Sequence, residues 1–592
     1  MTGRWMRGGR ALLAWGVAAS VGGCAGDEGA EGVGAGEVGS VSLALGAVQG
    51  DFFRLRIFKA PPDQALSGKA LFDTGCIQRQ STTFELTNIP VGTGLALAYE
   101  GFDAATCAAG ARSELGYRGA MTIKKGTAPY YHVPVYPEHG AVALPENLNL
   151  SASVATAIDF CDEDADCPGA RDICYDVAKP EYWCVPSCES DADCSGIHPR
   201  ATCELSSHWC KLASPYPLNL SEPRALGAAA SLPDGSALFV GGLRDREGGG
   251  LGPTAHYLEK FDAATGLFAP VDIGGLEAAP AGWFGFARLA DDRVVVVGGV
   301  SGFDEARWVP DDEGFTGTAT WSSVLQASAT VIDIGDGRAQ MTALTKAVAK
   351  PTVVALGDGG FFVAGGLVVE GAKLVPTNAT EVCTVGADLA ATCTAGPTLA
   401  AKRYAAAPAC LDASCRRIAL VGGAVTGALV EVVDLDLGTA TAAATQGGPA
   451  RIFDPAMCGL LVVGGSTEPW RPLPFAPIAL QVDGATVAVS ALTGTGDVGW
   501  LAAFESDNCQ LYAGGLDGQA AGMTSLRLAN RGAAPSFDDA GATLTTARFG
   551  AVAVRLGSGP LAGAHLIAGG LALPSGGAGP VSVVRGAEVW RP

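Results

Sequence analysis

Basic residues recur just ahead of short apolar runs in the C-terminal part of the chain. They are Arg224, Lys350, Arg403, Arg451 and Arg548, and Trp283 and Trp500 take a similar place in two further units. Guanidinium groups bind carboxylate, phosphate or sulfate through forked hydrogen bonds, so five such cations brought together would attract an anionic ligand. In the competing interpretation each base only hydrogen-bonds a neighbouring loop.

Seven glycine pairs organise the segments that must position these residues. Each pair closes an apolar run, and successive first glycines are 42 to 67 residues apart: Gly241, Gly298, Gly365, Gly422, Gly464, Gly514 and Gly569. A recurrence of roughly 50 residues is typical of a propeller or repeat array. Each unit reads as strand, tight turn, strand ending in GG, loop, strand and strand, which predicts a four-stranded meander. Glycine suits the strand end because the backbone must turn there beside its neighbours.

The repeat over residues 213–592 resembles the kelch repeat, an apolar strand ending in GG and followed by Tyr and Trp. The GG part is present in all seven units, whereas Phe261 and Phe268 replace the aromatic pair in the first unit and Trp590 stands in the last. The resemblance implies a seven-bladed β-propeller. It also implies that the basic residues open toward one mouth of the central channel, where arginines can contact acidic partners.

The end of the chain predicts how the ring closes. The final AEVWRP reads as a third strand, so we expect residues 216–220 to supply the fourth and hide the exposed edge. Cysteine spacing predicts further links. Cys383–Cys393 and Cys410–Cys415 would each staple a hairpin, and Cys458–Cys509 would tie neighbouring blades.

Residues 41–150 are rich in alternating apolar runs separated by Gly, Pro and Asn, which predicts an antiparallel β-sandwich. A bridge between Cys76 and Cys107 is expected there. The run FELTNIPVGTGLALAYEGFD resembles the strand–turn–strand unit of transthyretin-like domains. Such domains mostly serve as spacers or adhesive modules.

Residues 158–212 form a duplicated cysteine-rich segment. Its cysteines are Cys161, Cys167, Cys174 and Cys184 in one half and Cys188, Cys194, Cys203 and Cys210 in the other. We expect two bridges per half, and three pairings of four cysteines remain open. The repeated CxxDADC resembles segments of exported myxobacterial proteins. Asp162, Asp164 and Asp166 have the spacing of a calcium loop, but Cys167 occupies its glycine position, which favours a solvated acidic turn over bound calcium.

The N-terminus reads as an export signal. Three arginines precede a short apolar run, and residues 1–24 end in Val-Gly-Gly-Cys24, which resembles the lipobox of bacterial lipoproteins. The resemblance implies that Cys24 carries acyl chains, with residues 25–40 as a flexible tether. It also implies an outer-membrane protein that faces the periplasm or the cell surface. Sixteen further cysteines suit an oxidising compartment.

Several function classes are disfavoured by the sequence. A net charge of −21 argues against nucleic-acid binding. GxSxG, P-loop and sialidase motifs do not occur, and the propeller segment has only His256 and His565 for a galactose oxidase-like copper site. The sequence therefore predicts no metal or cofactor, and a binding or scaffolding protein that recognises a protein or glycan ligand, of anionic character if the bases converge. Two alternatives stay open, a carbohydrate-active enzyme and a structural envelope component.

Overall fold

The computed structural model describes a large part of the chain. It covers residues 38–45, 50–60, 62, 66, 68–80, 83–104, 107, 112–123, 125, 130–133, 135–138, 140–143, 147–148, 172–178, 181–186, 201–204, 209–212, 216–217, 220–247, 249–263, 266–274, 276, 279–289, 293–311, 314–321, 325–370, 373–424, 426–468, 475–484, 486–494, 504–505, 511–516, 524–530, 535–557, 561–573 and 579–591. The regular elements in these ranges are strands, which confirms the all-β class. In the same ranges, no helix has the length and apolarity needed to cross a bilayer.

Two facing sheets form the N-terminal sandwich. One has the order Thr83–Pro90, Val38–Leu45, Tyr130–Val133; the other has the order Phe72–Asp73, Phe52–Phe58, Gly92–Phe102, Arg112–Ile123, Val135–Pro137, with Ile77–Gln78 also on Phe52–Phe58. Alternate residues point between the sheets, so Leu43, Leu55 and Leu97 are fully buried in a shared core. The predicted bridge from Cys76 to Cys107 is confirmed.

The cysteine-rich segment contributes two short hairpins. They are formed by Asp172–Ala178 with Glu181–Pro186 and by Ala201–Glu204 with Trp209–Leu212. Their backbone registers place Cys174 opposite Cys184 and Cys203 opposite Cys210, so the last two cysteines of each half lie at facing positions of a hairpin. The other four cysteines of the segment and the predicted calcium loop lie outside the described residues.

Seven sheets make the propeller, which confirms the predicted blade number. Blades 1 to 4 are Ala228–Ser231, Ala237–Val240, Leu258–Asp262, Leu267–Val271; Gly285–Arg288, Arg293–Val297, Ser328–Asp333, Arg338–Ala343; Thr352–Ala355, Phe361–Ala364, Thr380–Val385, Ala391–Ala395; and Ala407–Cys410, Arg417–Val421, Val430–Asp434, Thr439–Ala442. The predicted hairpin staples Cys383–Cys393 and Cys410–Cys415 are confirmed in blades 3 and 4.

Blades 5 to 7 follow the same plan with added strands. Blade 5 is Phe453–Cys458, Leu461–Ser466, Ile478–Asp483, Thr486–Ala491, with Ala444–Gln446 on its outer edge; blade 6 shows Leu511–Ala513, Ser525–Asn530, Ser536–Thr543 and Thr493–Gly494; blade 7 has Val552–Arg555, His565–Ala568, Ala587–Arg591 and Gly140–Ala143, with Phe504–Glu505 on its inner edge. Cys509 lies outside the described residues, so its bridge to Cys458 stays a prediction.

The glycine pairs join each blade to the next. The second glycine N–H donates to a carbonyl of the following blade: Gly242 to Ala281, Gly299 to Val348, Gly366 to Arg403, Gly423 to Ile452, Gly515 to Arg548 and Gly570 to Arg224. The last of these bonds links blade 7 back to blade 1. Both glycines of these six pairs have positive φ, whereas in the fifth pair along the chain only Gly465 does. A Cβ on Gly298 would collide with the carbonyl of Val348. The crowding between blades therefore explains why glycine is needed.

The ring closes with a different strand from the predicted one. Gly140–Ala143 pairs antiparallel with Ala587–Arg591 as the outermost strand of blade 7, whereas Tyr216–Pro217 pairs with Asn147–Leu148. The prediction for residues 216–220 was therefore wrong. Gly140–Ala143 follows the sandwich strand Val135–Pro137 after two residues, so the same stretch of chain docks the sandwich and completes the blade.

Side chains beside the closing strand join the sandwich to the propeller. Glu138 accepts hydrogen bonds from Arg112 at 2.7 and 2.8 Å and from Arg591 at 2.9 Å. Tyr136 is buried in the same apolar cluster as Phe239 and Val554 of blades 1 and 7. Because charged and apolar contacts both cross the junction, the sandwich and the propeller share one packed interface.

The two faces of the propeller differ. We call the side where the glycine pairs lie the GG face and the side of the hairpin turns within blades the turn face. Four hairpins rise on the GG face after the glycine pairs: Leu243–Asp245 with Leu251–Pro253, Phe303–Asp311 with Gly314–Trp321, Leu367–Glu370 with Lys373–Pro376, and Leu571–Ala572 with Ser582–Val583. In the order given, they belong to blades 1, 2, 3 and 7. Blade 4 makes only a short connection on this face. The rim of this face is therefore uneven.

Candidate functional site

Three of the five predicted bases are buried inside the propeller. Arg224, Arg403 and Arg548 are 1–2% exposed, and their guanidinium groups pair with Glu259 at 3.0 Å, Glu431 at 2.9 Å and Glu588 at 2.6 Å. Each also donates to the carbonyl of the first glycine of its own blade: Gly241, Gly422 and Gly569. Burial lowers the pKa of each guanidinium and the glutamate opposes that effect, so the group stays charged.

The prediction that these three arginines face a ligand was therefore wrong. A guanidinium enclosed by a carboxylate and carbonyls has no surface to offer an external anion. The competing interpretation, in which each base hydrogen-bonds a neighbouring loop, describes them correctly. Each arginine links the segment before the first strand of its blade to the GG turn and to the third strand of the same blade.

The glutamate partners were missed by sequence reasoning although a signal was present. A glutamate stands second in the third strand of four blades, at Glu259, Glu381, Glu431 and Glu588. Three of these blades carry the buried arginine. In blade 3, Val348 takes the arginine position, and Glu381 instead accepts hydrogen bonds from the amide and hydroxyl of Thr345. The recurrence of Glu together with Arg would have predicted internal pairing.

The remaining predicted residues occupy other positions in the repeat. The bonds from the glycine pairs show that Ala281, Val348 and Ile452 correspond to the buried arginines. Trp283 and Lys350 therefore lie two residues further on, where the chain turns into the inner strand. We call the position of Arg224, Arg403 and Arg548 in their blades the ring position; Ile452 holds it in blade 5. Arg451 stands one residue before Ile452 and pairs with Glu468 at 2.6 Å on the surface. Trp500 lies outside the described residues.

The turn that carries Trp283 and Lys350 recurs around the channel with positive φ. Its φ values are 57° at Leu226, 53° at Trp283, 49° at Lys350, 48° at Ala405, 47° at Asp454 and 57° at Gly550. Glycine is the least strained residue in this region, and only the last of these six positions has it. Side chains with strained backbones are concentrated at functional sites, so the large residues here mark this turn as the candidate site.

Three of these turn residues meet at the mouth of the channel. The Lys350 ammonium bonds the Asp454 carboxylate at 2.6 Å and lies 5.0 Å from the centroid of the Trp283 ring. Lys350 and Asp454 belong to blades 3 and 5, and small Ala405 of blade 4 stands between them. The side chains of Lys350 and Asp454 are 16% and 28% exposed, so the pair is accessible although largely enclosed. We call these three residues the mouth cluster.

Apolar residues surround the mouth cluster. Leu226, Trp283 and Ala405 pack against a buried cluster formed where the inner turns meet the residues after the glycine pairs. Tyr404 stacks on Phe453 with ring centroids 5.7 Å apart, and burial together with the charge of Asp454 raises the pKa of the Tyr404 hydroxyl. These apolar side chains, which we call the apolar collar, surround the ion pair. Water therefore screens its charges less than at an open surface.

The described residues around this mouth include no cluster of metal-ligand side chains. Within the part of the chain that the structure describes, the one cluster of such side chains is Glu381, Cys383 and Cys393, and its two cysteines are joined in a disulfide. His565 begins the second strand of blade 7, fully buried near Trp590, and His256 precedes the third strand of blade 1. The two histidines thus lie at opposite ends of their blades, and the donor set does not fit a galactose oxidase-like copper site.

Comparisons with known proteins leave the family open. No family model matches the chain, and no curated protein matches it. Among solved structures, the chain is similar to a novel fungal alcohol oxidase of the AA5 family in complex with copper. The identity is 15%, the TM-score is 0.42, and the alignment covers 63% of this chain and 75% of that one. A likeness at this level carries no inference about chemistry.

Proposed function

We propose that the protein is a binding module whose ligand docks on the GG face of the propeller, at the mouth cluster. The observation that carries the proposal is the placement of Trp283, Lys350 and Asp454 on strained turns around the channel. Ligand sites combine an apolar, aromatic lining with a few fixed polar groups, and the mouth cluster in its apolar collar has this composition. Blade 4 has no described hairpin on this face, so we place the approach of an extended ligand on that side.

The energetics support a role in recognition. A largely enclosed ion pair seldom adds net stability, because removing both charges from water offsets most of their attraction. Positive φ adds a further backbone cost of about 1 kcal/mol or more for each non-glycine residue. Lys350 and Asp454 carry both costs, and Trp283 carries the backbone cost. The fold itself does not require these side chains, since Ala405 and Gly550 serve the same turn in other blades.

The cellular setting is part of the proposal. The Val-Gly-Gly-Cys24 sequence supports lipid anchoring of an exported protein, and the confirmed disulfides suit an oxidising compartment. The GG repeat supports a kelch-like propeller, a scaffold that displays loops around a channel. We place the protein at the outer membrane, with the acidic segment that precedes the first sandwich strand, Val38–Leu45, as its tether.

Two rival functions remain, and the mouth cluster favours neither. A glycoside-cleaving enzyme needs two carboxylates flanking the scissile bond. Among the six described inner-turn residues, Asp454 is the one acid, and it is bonded to Lys350. A purely structural envelope component needs no accessible polar cluster on strained turns.

A pair of exposed apolar residues on opposite faces tests the proposal. Val369 lies on a GG-face hairpin and is 58% exposed, whereas Leu437 lies in a turn-face loop and is 74% exposed. The full chain should be screened on arrays of saccharides and peptides, together with Val369→Arg and Leu437→Arg. We expect Val369→Arg to weaken binding at least about tenfold and Leu437→Arg to leave it unchanged. Loss with Leu437→Arg alone, or the same enzymatic turnover of a bound saccharide in all three proteins, would contradict the proposal.

A further inference from the structure

We infer that the mouth cluster recognises a neutral, polyhydroxylated ligand, namely the end of an uncharged saccharide chain. The inference rests on the proposed function and names the chemistry of its ligand. It departs from the anionic ligand that the sequence predicted, because the structure removes the positive ring on which that prediction depended.

Charge is the first argument for a neutral ligand. Four basic residues of the GG face are each matched by a carboxylate: Lys350 by Asp454 at 2.6 Å, Arg451 by Glu468 at 2.6 Å, Arg244 by Glu222 at 3.4 Å and Lys402 by Glu370 at 4.0 Å. With the three buried arginines also paired, these bases create no focused positive field. A polyanion that approached this surface would also be repelled by the net charge of the chain, which is −21.

The ion pair itself is suited to hydroxyl groups. An ammonium donates hydrogen bonds and a carboxylate accepts them, and each sugar hydroxyl does both. Lys350 and Asp454 hold the two kinds of group 2.6 Å apart, so adjacent hydroxyls of one sugar can meet an acceptor and a donor together. Because the two charges of the pair offset each other, neither an anionic nor a cationic ligand gains a net electrostatic attraction from it.

The indole supplies the apolar half of the recognition. A pyranose ring has faces of C–H groups and a rim of hydroxyls, and partly buried Trp283 adjoins the ion pair. Aromatic side chains combine a large apolar surface with defined geometry, which orients a ligand ring. Because the Lys350 ammonium lies over the indole, a sugar would meet the part of the Trp283 ring that stays exposed with its C–H groups while its hydroxyls reach Lys350 and Asp454.

The backbone holds the cluster in place before any ligand arrives. The Lys350 amide donates to the Trp283 carbonyl at 2.6 Å, and the Ala405 amide donates to the Lys350 carbonyl at 2.8 Å. A third bond of this kind, from the Leu226 amide to the Gly550 carbonyl at 3.3 Å, joins blade 1 to blade 7. Fixing the recognition residues in advance lowers the entropy that binding must overcome, which suits a small rigid ligand such as a sugar end.

The test measures binding of the full chain to immobilised neutral, uronate-bearing, sulfated and amino saccharides. Two variants keep the strained turns intact, since Asn tolerates positive φ in Asp454→Asn and Gly prefers it in Trp283→Gly. The matched control is Lys260→Met, which breaks the Lys260–Asp234 pair, also 2.6 Å long, on the turn face. Thermal unfolding of each variant checks that the propeller is folded.

We expect binding to neutral saccharides that falls at least about tenfold in Asp454→Asn and Trp283→Gly and is unchanged in Lys260→Met. Because no charge on the ligand is involved, added salt should leave the affinity unchanged. Binding confined to uronate-bearing or sulfated saccharides, with steep salt dependence, would overturn the inference. So would neutral-saccharide binding that Val369→Arg abolishes but both mouth variants retain, and this outcome would also remove the mouth cluster from the proposed function. Binding of an anionic saccharide that both mouth variants lose would overturn the inference and leave the proposed function standing. Loss of GG-face binding altogether would remove both.

Discussion

Four of the five predicted basic residues have one of two roles, and a shift of two residues along the chain decides which one. At the ring position, Arg224, Arg403 and Arg548 enter the interior and meet glutamates. Two residues later, Lys350 reaches the channel mouth. Trp283 and Lys350 each stand 15 residues before the first glycine of their blade, whereas Arg224, Arg403 and Arg548 stand 17, 19 and 21 residues before theirs. Counting back from the glycine pairs would therefore have separated the two groups, although the variable spacing hides which blade positions are equivalent.

The buried arginine–glutamate pairs predict a strong asymmetry between single and double variants. Glu431→Ala leaves Arg403 charged and enclosed, and we expect it to lower the free energy of unfolding by about 3–5 kcal/mol. Arg403→Met combined with Glu431→Leu removes both charges and should cost much less. Denaturant unfolding of the full chain measures both. A double variant as unstable as the single one would show that the pair is not the cause.

His565 predicts a loss of stability in mild acid. Burial, aided by the charge of Arg555, lowers the pKa of His565 to about 3. The unfolded chain takes up this proton near pH 6.5, so the stability from a neutral His565 is present above that pH and falls as the pH decreases toward 3. At pH 5 the loss is about 2 kcal/mol. His565→Phe should flatten the dependence of unfolding free energy on pH between 5 and 7, and an unchanged slope would contradict this.

At the scale of elements, glycine pairs and cysteine spacing were sufficient to predict the inner strands and the stapled hairpins. Apolar runs such as VVVV before Gly298 report burial directly, and two cysteines ten residues apart constrain a hairpin at once. Sequence could not predict the outer strand of blade 7, because Gly140–Ala143 is short, lacks a distinctive pattern and lies more than 440 residues from its partner. Non-local pairing of this kind depends on where the sandwich docks.

The crowding at the GG turns predicts unequal effects of two equivalent substitutions. Gly298 and Gly337 have φ of 60° and 62°, but a Cβ would meet the carbonyl of Val348 at the first and nothing within 4 Å at the second. Gly337→Ala should cost about 1 kcal/mol from backbone strain alone. Gly298→Ala adds a collision between blades, and we expect more than about 3 kcal/mol. Equal losses in denaturant unfolding would show that blade crowding does not require the glycine.

At the scale of the whole molecule, the sandwich and the propeller depend on each other. The sandwich supplies the closing strand, and Glu138 ties Arg112 of one domain to Arg591 of the other. The N-terminal domain is a structural part of the propeller and not only a spacer.

This dependence predicts how truncated chains behave. A chain beginning at residue 213 leaves the Ala587–Arg591 strand as an open edge, so we expect aggregation or a clearly lower melting temperature than for a chain beginning at residue 38. Size-exclusion chromatography and thermal unfolding measure both. A stable, monomeric propeller from residue 213 would show that Gly140–Ala143 is dispensable.

Hydrogen exchange of the full chain, with and without the saccharide it binds, tests the central claim most directly. Ligand on the GG face should protect the amides of residues 282–285, 349–352 and 452–456, which surround Trp283, Lys350 and Asp454. Turn-face segments 233–236 and 412–417 should exchange as in the free protein. Protection confined to the turn face or to sandwich residues 38–137 would contradict the proposal that the mouth cluster is the binding site.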